Sequence, residues 1–394
     1  ARVLDRWSDP TSDFRQRLEQ ELPAATGFSP EVVREGLARA LADWNGEALH
    51  RLVANELGAV DRLDAPGPVM LTGFGCTAVL LAGSLPTPTL IALLAPLLVR
   101  SPVLAKTSSH DAVTAPLFAR SIAAEDPGLG DCIVARSFPS ADEASAAALL
   151  TADCIVATGS DETVAGIAAR VRGPRRLITY GHRLSVAAVD AGTPDATALD
   201  DAARALALDV SLWDQQGCLS PVAVYAVRGG REAAERFASL LAAALERTAA
   251  RLPHGRIPPV AGAALVRERA EAELRAAAGR PVALHAGADL AWTVVCEEDA
   301  RARPAPLHRF VRVHPVSDAA ELCRALQPLA AHLACVGVSG FGPRAPTLAR
   351  ALADLGASRV CPVGAMQAPP LDWRHDGRPV LLPMARLAGF EAGP

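Results

Sequence analysis

The feature that most constrains the fold of this chain is a series of short apolar segments that alternate with helical stretches in its first half. Each apolar segment has the length of a strand, and each is followed by a stretch with helical periodicity. Strands that are apolar on both faces are typical of a parallel sheet covered by helices on both sides. The sequence therefore predicts a doubly wound α/β domain, with strands near residues 76–82, 103–106, 132–135, 153–157 and 176–180.

A second block of the same texture follows from about residue 200. It begins with a helix near 202–212 and a polar turn that contains Cys218, and it continues through further strands and helices to residue 362. A chain of 394 residues is long enough for two domains. We predict a first domain over residues 1–200, with helices at its start and completed by the segment 364–394, and a second domain over 201–363.

Charge and cysteine content argue against several classes of function. The net charge is −4 and no block of Lys and Arg stands out, so we expect no nucleic-acid partner. The eight cysteines are irregularly spaced without a CxxC pair, so we expect neither a metal site nor a disulfide framework. The uncharged stretch 65–99 is interrupted by glycines and prolines and predicts strand, turn and helix, not membrane insertion. No secretory signal is recognised, and we expect a cytoplasmic location.

The stretch Trp213-Asp214-Gln215-Gln216-Gly217-Cys218-Leu219-Ser220-Pro221 is the most informative one for chemistry. A cysteine between a glycine and a nearby proline is typical of a turn, where backbone N–H groups can stabilise a thiolate and an oxyanion. Turn chemistry alone leaves a catalytic cysteine and a buried structural one equally open. The other seven cysteines lie mainly in apolar strand or helix patterns, which favours a structural role for them.

This stretch resembles the active-site motif of LuxC-type acyl-CoA reductases, a branch of the aldehyde dehydrogenase superfamily. Four other segments resemble motifs of the same family and keep its order: 81–86, 103–109, 157–161 and 369–377. The resemblance implies an aldehyde dehydrogenase-like fold. It also implies that Cys218 attacks an acyl thioester, on coenzyme A or a carrier protein, and that a reduced nicotinamide converts the acyl-enzyme to an aldehyde. Family members usually pair through strand exchange, so a homo-oligomer is expected.

The resemblance also assigns residues to the cofactor. In NAD-preferring relatives an acidic residue three positions after the ribose-binding lysine repels a 2′-phosphate; here that position is Ser109, which favours NADPH while NADH stays compatible. Without the resemblance, Lys106 could equally be a solvated lysine at a strand end, Gly159 and Ser160 an ordinary strand-to-helix turn capped by Ser160, and His182 a solvent-facing loop histidine. The expected cofactor-binding residues are Lys106, Ser108, Ser109, Gly159, Ser160, Gly181 and His182.

Two departures bear on the reaction. The family usually has asparagine where this chain has Ser84, a position that helps to form the oxyanion hole, and loss of one such donor typically costs about 2.7–4 kcal/mol. Hydrolytic aldehyde dehydrogenases have a glutamate near Thr179 and Tyr180, and its absence here favours thioester chemistry over oxidation to an acid. A cysteine acyltransferase and a non-catalytic thioester-binding paralogue on the same scaffold remain as alternatives.

Overall fold

The computed structural model describes residues 1–64, 67 and 69–391, and the chain forms two compact units. The first unit comprises Ala1–Thr26, Leu37–His182 and the C-terminal segment from Pro370. The second comprises Gly27–Gly36 and Arg183–Pro369.

The N-terminal segment is helical, as predicted. In α4, Asn45 is the N-cap and its side chain accepts the N–H of Ala48 at 2.9 Å, while Gly58 ends the helix with a φ of 84°. Residues at spacings of three and four, Leu49, Leu52 and Val53 among them, form its buried face. The helices are α1 (Arg2–Ser8), α2 (Asp13–Thr26), α3 (Pro30–Ala40) and α4 (Gly46–Leu57).

The first unit contains a five-stranded parallel sheet whose strand order is β4-β3-β2-β5-β6. The first strand of the sheet in the sequence is central, the next two lie to one side and the last two to the other. The elements are β1 (Val69–Gly73), β2 (Thr77–Leu80), α5 (Pro86–Leu98), β3 (Val103–Lys106), α6 (Thr114–Glu125), α7 (Pro127–Gly130), β4 (Ile133–Arg136), α8 (Glu143–Leu149), β5 (Cys154–Thr158), α9 (Asp161–Arg170) and β6 (Arg176–Tyr180).

The second unit contains a seven-stranded sheet with the order β13-β12-β7-β8-β11-β10-β9, in which only β9 is antiparallel to its neighbour. The elements are β7 (Leu184–Asp190), α10 (Ala196–Ser211), β8 (Pro221–Val227), α11 (Gly230–Arg251), α12 (Pro259–Ala277), β9 (Ala283–Ala286), β10 (Thr293–Cys296), β11 (Phe310–Val316), α13 (Ala319–Leu326), β12 (Leu333–Ser339), α14 (Ala345–Leu355) and β13 (Arg359–Pro362).

Alternation along the strands explains why helices cover both faces of this sheet. On β7, Ala187 and Val189 pack in one buried cluster with α10 and α11, while Val186 and Ala188 pack in another with α13 and α14. Because both sets are apolar, neither face is suited to water. The predicted fold class, with two doubly wound parallel sheets, is confirmed.

The C-terminal segment completes the first unit. Its strand β14 (Ala385–Gly389) pairs antiparallel with β1. The buried Glu56 carboxylate of α4 accepts the backbone N–H groups of Val380 and Leu381 at 2.7 and 2.6 Å. The ring of His375 stacks on that of Tyr180 with centroids 4.5 Å apart. The His375-Asp376-Gly377 run is therefore part of a turn that packs on β6.

The sequence interpretation missed β7, the strand that decides where the second unit begins. Its alanines are weak strand formers, and no element is predicted from the sequence at residues 184–190. Because β7 lies between β8 and β12, residues 184–190 group with the second sheet, and the predicted division after residue 200 falls inside α10. The assignment of independent domains stays a prediction.

The uncharged stretch 65–99 contains β1, β2 and α5 from residue 69 onwards, while residues 65, 66 and 68 lie outside the described part of the chain. Within the described residues, no helix combines the length and the apolar character that a membrane span requires.

A close contact in the second unit fixes the position of Trp213. The indole is 2 % exposed and packs edge-on against Phe28, with ring centroids 5.6 Å apart. It also lies against the backbone of Gly36 in α3, where a Cβ atom would meet Trp213 Cζ2 at 2.5 Å. A side chain at residue 36 therefore has no room unless the indole moves.

We predict that Gly36→Ala destabilises the protein by about 1–3 kcal/mol because the added methyl group overpacks the indole. The matched control is Gly166→Ala on the exposed face of α9, where an added Cβ meets nothing within 4 Å and a gain of about 0.5–1 kcal/mol is expected. Urea unfolding followed by circular dichroism measures both shifts. A Gly36→Ala midpoint equal to that of the wild type would contradict the packing described.

Candidate active site

Cys218 lies in a turn at the amino end of β8, as the sequence predicts, and is half-buried. The turn is attached to two neighbouring strands through one hydroxyl group. The hydroxyl of Ser185 in β7 donates to the Cys218 carbonyl at 2.7 Å. The Ser185 Oγ atom also accepts the N–H of Cys335 in β12 at 3.1 Å. The backbone that carries the thiol is therefore anchored to the sheet.

The residues just before this turn have an uncommon backbone conformation. Trp213, Asp214 and Gln215 have φ values of 54°, 48° and 63°, in the left-handed region that side chains with a Cβ disfavour. A second such run, at residues 307–309, has φ values of 64°, 54° and 64°. Each residue of this kind costs on the order of 1–3 kcal/mol and persists only where surrounding contacts hold it.

A buried ion pair joins the two left-handed runs. Asp214 Oδ1 accepts from Arg309 Nε at 3.0 Å and from Nη2 at 2.6 Å, and both side chains are at most 1 % exposed. Asp214 Oδ2 accepts the N–H of Gly255 at 3.0 Å, and Arg309 Nη1 donates to the Leu252 carbonyl at 2.8 Å. Burial lowers the pKa of Arg309, and Asp214 opposes that shift. Removal of one partner of such a pair typically costs about 3–5 kcal/mol.

Gln215 makes the second connection between these runs. Its side-chain oxygen accepts the N–H of Phe310 at 2.9 Å, and its Nε2 donates to the carbonyls of Phe310 and Pro221 at 2.9 and 2.8 Å. The side chain is fully buried, and both donors and the acceptor are used. The cysteine motif contains this glutamine and Asp214, but the sequence alone indicates no role for either of them and does not point to Arg309.

Ser220 receives a further bond from a buried polar cluster. Gln367 Nε2 donates to Ser220 Oγ at 2.8 Å and to the Asp209 carbonyl at 3.3 Å. Burial raises the pKa of the Asp209 carboxyl to about 7, although the N–H groups of Gly364 and Met366 donate to it and work in the opposite direction. Burial favours the neutral form of the Asp209 carboxyl, which predominates below about pH 7.

Several of the other cysteines are held in environments that suppress reactivity. Burial raises the pKa of Cys154 to about 11 and that of Cys296 to about 12. A hydrogen bond with Cys361, with 3.6 Å between the two sulfur atoms, and burial raise the pKa of Cys335, whereas the same bond lowers the pKa of the Cys361 thiol. Because the thiolate is the nucleophile, Cys154, Cys296 and Cys335 are poorly suited to catalysis. Cys218 differs from them in its turn and its partial exposure.

The carboxyl ends of the strands in the first unit carry most of the predicted cofactor residues. In this strand order the chain leaves β2 and β5 in opposite directions, and ligands of doubly wound sheets bind at such a point. Ser84 follows β2 and is 8 % exposed, and Gly83 before it has a φ of 82° with open space where a Cβ would lie. Gly159 and Ser160 follow β5. The fold thus brings these two predicted segments to adjacent strand ends.

Lys106 ends β3, and its Nζ lies 5.2 Å from the centre of the Phe138 ring. Ser108 is buried and accepts the N–H of His110 at 3.1 Å, whereas Ser109 is exposed. A buried carboxylate that the sequence interpretation did not weigh, Asp111, lies two residues further on. Its Oδ1 accepts the N–H groups at the start of α6, at residues 113 and 114, at 3.0 and 2.9 Å.

Ser160 is the N-cap of α9, and its hydroxyl accepts the N–H of Thr163 at 3.3 Å. The first turn of this helix contains Asp161 and Glu162, two carboxylates that oppose a phosphate at the helix end. The preference for anions that a helix start usually provides is therefore weakened here. Gly159 and Ser160 are better suited to the hydroxyl groups of a ribose than to a pyrophosphate.

Gly181 and His182 belong to a loop that is fastened to α9. The N–H of His182 donates to Asp161 Oδ1 at 2.8 Å. A Cβ at residue 181 would lie 2.4 Å from the same oxygen, so any other residue there would displace the Asp161 carboxylate from this contact. The His182 side chain is exposed. These contacts explain Gly181 structurally and leave a cofactor role for both residues as a prediction.

The first unit fits a nicotinamide dinucleotide in its sheet and in its polar residues. Its strand order is the one in which dinucleotides bind across the central crevice, and Lys106, Ser84, Gly159 and Ser160 all lie at the carboxyl edge. Lys106 can donate to ribose hydroxyls there, and the two carboxylates of α9 can accept from them.

The amino-acid sequence matches a family model described as acyl-CoA reductase (LuxC) over residues 1–387. The chain belongs to this family. The resemblance noted above is thereby confirmed, and the family is one of oxidoreductases. The long-chain acyl-protein thioester reductase of Aliivibrio fischeri is 27 % identical over 81 % of this chain and 66 % of its own length. That of Photobacterium leiognathi, reductase 2, is 24 % identical over 98 % of this chain and 80 % of its own length.

Solved structures show that this LuxC-family member has the aldehyde dehydrogenase fold, as predicted. The aldehyde dehydrogenase KauB from Pseudomonas aeruginosa superposes with a TM-score of 0.72 at 16 % identity, over 98 % of this chain and 82 % of its own. An NAD-dependent benzaldehyde dehydrogenase from Corynebacterium glutamicum gives 0.71 at 16 % identity, over 99 % and 84 %. A methylmalonate-semialdehyde dehydrogenase from Sinorhizobium meliloti, solved with NAD, gives 0.67 at 14 % identity, over 100 % and 85 %.

We predict that iodoacetamide alkylates Cys218 before the buried Cys154 and Cys296 of the native protein. The half-buried turn admits the reagent, whereas burial holds Cys154 and Cys296 protonated near neutral pH. Peptide mass mapping after brief labelling measures the order, and denatured protein is the control in which all cysteines react. Labelling of Cys154 or Cys296 at the rate of Cys218 would contradict the assignment.

Proposed function

We propose that this LuxC-family chain reduces an acyl thioester to an aldehyde through an acyl-enzyme on Cys218. The observation that carries the proposal is the anchored, half-buried turn that presents one cysteine at the amino end of β8. Family membership and the names of the relatives, which are thioester reductases, support the reaction class.

In the first step the Cys218 thiolate attacks the acyl carbonyl carbon. A carbon–sulfur bond forms to Cys218, the bond to the original thiol breaks, and that thiol leaves with a proton. The developing oxyanion needs hydrogen-bond donors, and the backbone N–H of Cys218 is one such group. Ser84 is proposed as a further donor on the ground of the resemblance alone, since it stands where the family usually has asparagine.

The second step turns the acyl-enzyme into the product. A bound reduced nicotinamide supplies the hydride that the thioester carbon accepts. The carbon–sulfur bond to Cys218 then breaks, the aldehyde leaves, and Cys218 is released as a thiolate for another cycle. Lys106, Ser108, Ser109, Gly159, Ser160, Gly181 and His182 are proposed to bind this cofactor. Because Ser109 is exposed and uncharged, NADPH is proposed as the cofactor with NADH compatible. A comparison of NADPH with NADH must take into account the negative charge of the nearby Asp111 carboxylate, which accepts N–H groups at the start of α6.

Hydrolysis of the acyl-enzyme is disfavoured by the residues at the end of β6. Thr179 offers no carboxylate, and its carbonyl accepts from Arg378 Nη2 at 2.6 Å. Tyr180 is buried, burial raises the pKa of its hydroxyl, and the Arg378 guanidinium lies 4.9 Å from its ring centre. Neither residue can act as a base that activates water at neutral pH. Reduction of the acyl-enzyme by hydride, or transfer of its acyl group to a thiol, is therefore favoured over hydrolysis.

The substrate is proposed to be an acyl-CoA or an acyl group on a carrier protein. The names of the relatives point to long-chain acyl-protein thioesters, and the chain spans about two thirds of the length of the first of them. A homo-oligomer and a cytoplasmic location remain predictions.

We predict that purified protein oxidises NADPH when a long-chain acyl-CoA is added and that Cys218→Ala lowers the rate by on the order of 10³-fold or more. The loss of NADPH absorbance measures the rate across a panel of acyl-CoAs, with NADH in parallel. Cys323→Ala, at another half-buried cysteine in the second unit, is the matched control and should oxidise NADPH at the wild-type rate.

Equal rates for Cys218→Ala and the wild type would contradict the mechanism. An acyl adduct on Cys218 without any hydride consumption would favour an acyltransferase. Absence of both signals with acyl-CoA and with acyl-carrier protein would favour a non-catalytic paralogue.

A further inference from the structure

The segment that carries Cys218 is closed into a ring by a side chain. Gln215 precedes it and donates to the carbonyl of Pro221, which follows it, at 2.8 Å. Residues 216–220 therefore have both of their ends held by one buried amide. Within the ring, the N–H of Ser220 donates to the Gly217 carbonyl at 3.0 Å.

The same amide attaches the ring to a second strand. Gln215 accepts from the N–H of Phe310 and donates to its carbonyl, so the start of β11 is held against the ring by a pair of bonds. One acceptor and two donors are needed in this arrangement, and a glutamine amide supplies that set. A glutamate of the same shape lacks the two donors.

Arg309, the residue before Phe310, binds Asp214, the residue before Gln215. Its guanidinium donates twice to Asp214 Oδ1, and it also donates to the carbonyls of Leu252 and Pro253, at 2.8 and 3.4 Å. The planar fork of arginine matches several acceptors at once, which the single point charge of a lysine does not.

We propose that Asp214, Gln215 and Arg309 are positioning residues for the Cys218 thiol. We name this set the nucleophile clamp. It joins the left-handed runs at residues 213–215 and 307–309, which would otherwise relax toward favoured backbone conformations and carry the cysteine turn with them. None of the three is proposed to touch the substrate. The inference rests on the proposed function for its catalytic consequence, while its effect on the Cys218 thiol does not.

A neighbouring arginine provides the control. Arg312 lies three residues further along, is 1 % exposed against 0 % for Arg309, and is also bound to carboxylates, those of Glu297 and Glu268. Its side-chain hydrogen bonds within the described part of the chain go to Pro304, Glu297 and Glu268, and none goes to residues 213–221. Arg309→Lys and Arg312→Lys therefore lose the same fork at the same depth, and only the first loses it beside the cysteine turn.

The test measures three quantities for each variant: the rate of iodoacetamide alkylation of Cys218, the rate of its acylation by an acyl-CoA with the concentration dependence of that rate, and the thermal midpoint. We expect Arg309→Lys to change both Cys218 rates by about tenfold or more with a half-saturating acyl-CoA concentration close to that of the wild type, because nucleophile placement is disturbed and substrate binding is not. Arg312→Lys should lower the thermal midpoint comparably and leave both rates within about twofold.

Gln215→Glu carries the same test where Arg309→Lys does not fold, since it keeps the shape of the side chain and removes its donors. Equal effects of Arg309→Lys and Arg312→Lys on the Cys218 rates, or wild-type rates in both Arg309→Lys and Gln215→Glu, would overturn the proposal. If the wild type forms no acyl adduct, the proposed function fails, and the alkylation rates still decide the clamp.

Discussion

The buried pair of Asp214 with Arg309 is the interaction on which the proposed chemistry of the second unit depends. Two charges are removed from water, which is costly unless their hydrogen bonds are satisfied. Here the guanidinium fork, the carboxylate and the neighbouring backbone groups satisfy one another. The pair joins two runs of strained backbone, and one of these leads directly into the turn of Cys218. The sheet supplies the rigid edge, and the ion pair fixes the turn to it.

In the first unit, the feature that matters is the carboxyl edge of its parallel sheet. Its strand order places the ends of β2, β3 and β5 side by side, so that short polar segments after each strand come together. Such an edge is suited to a dinucleotide because of its strand order, and this does not depend on the identity of any single residue. The carboxylates at the start of α9 are the particular feature of this chain, since they favour hydroxyl groups over phosphates at that helix end.

Much of this architecture could be predicted because strand and helix periodicities differ and because both faces of each sheet are apolar. The parallel sheets, the helical N terminus and the Cys218 turn follow from those patterns. The position of β7 did not, because its alanines are weak strand formers and only pairing with β8 and β12 makes them a strand. The role of Arg309 was equally inaccessible, since its partner lies 95 residues away in the sequence.

Formation of an acyl-enzyme on Cys218 is tested most directly by trapping it. Protein is incubated with a long-chain acyl-CoA in the absence of nicotinamide, digested, and mapped by mass spectrometry; a parallel sample then receives NADPH. We predict an acyl group on the peptide that contains Cys218 and its release as aldehyde after NADPH is added. An unmodified Cys218, or an adduct that NADPH does not discharge, would contradict it.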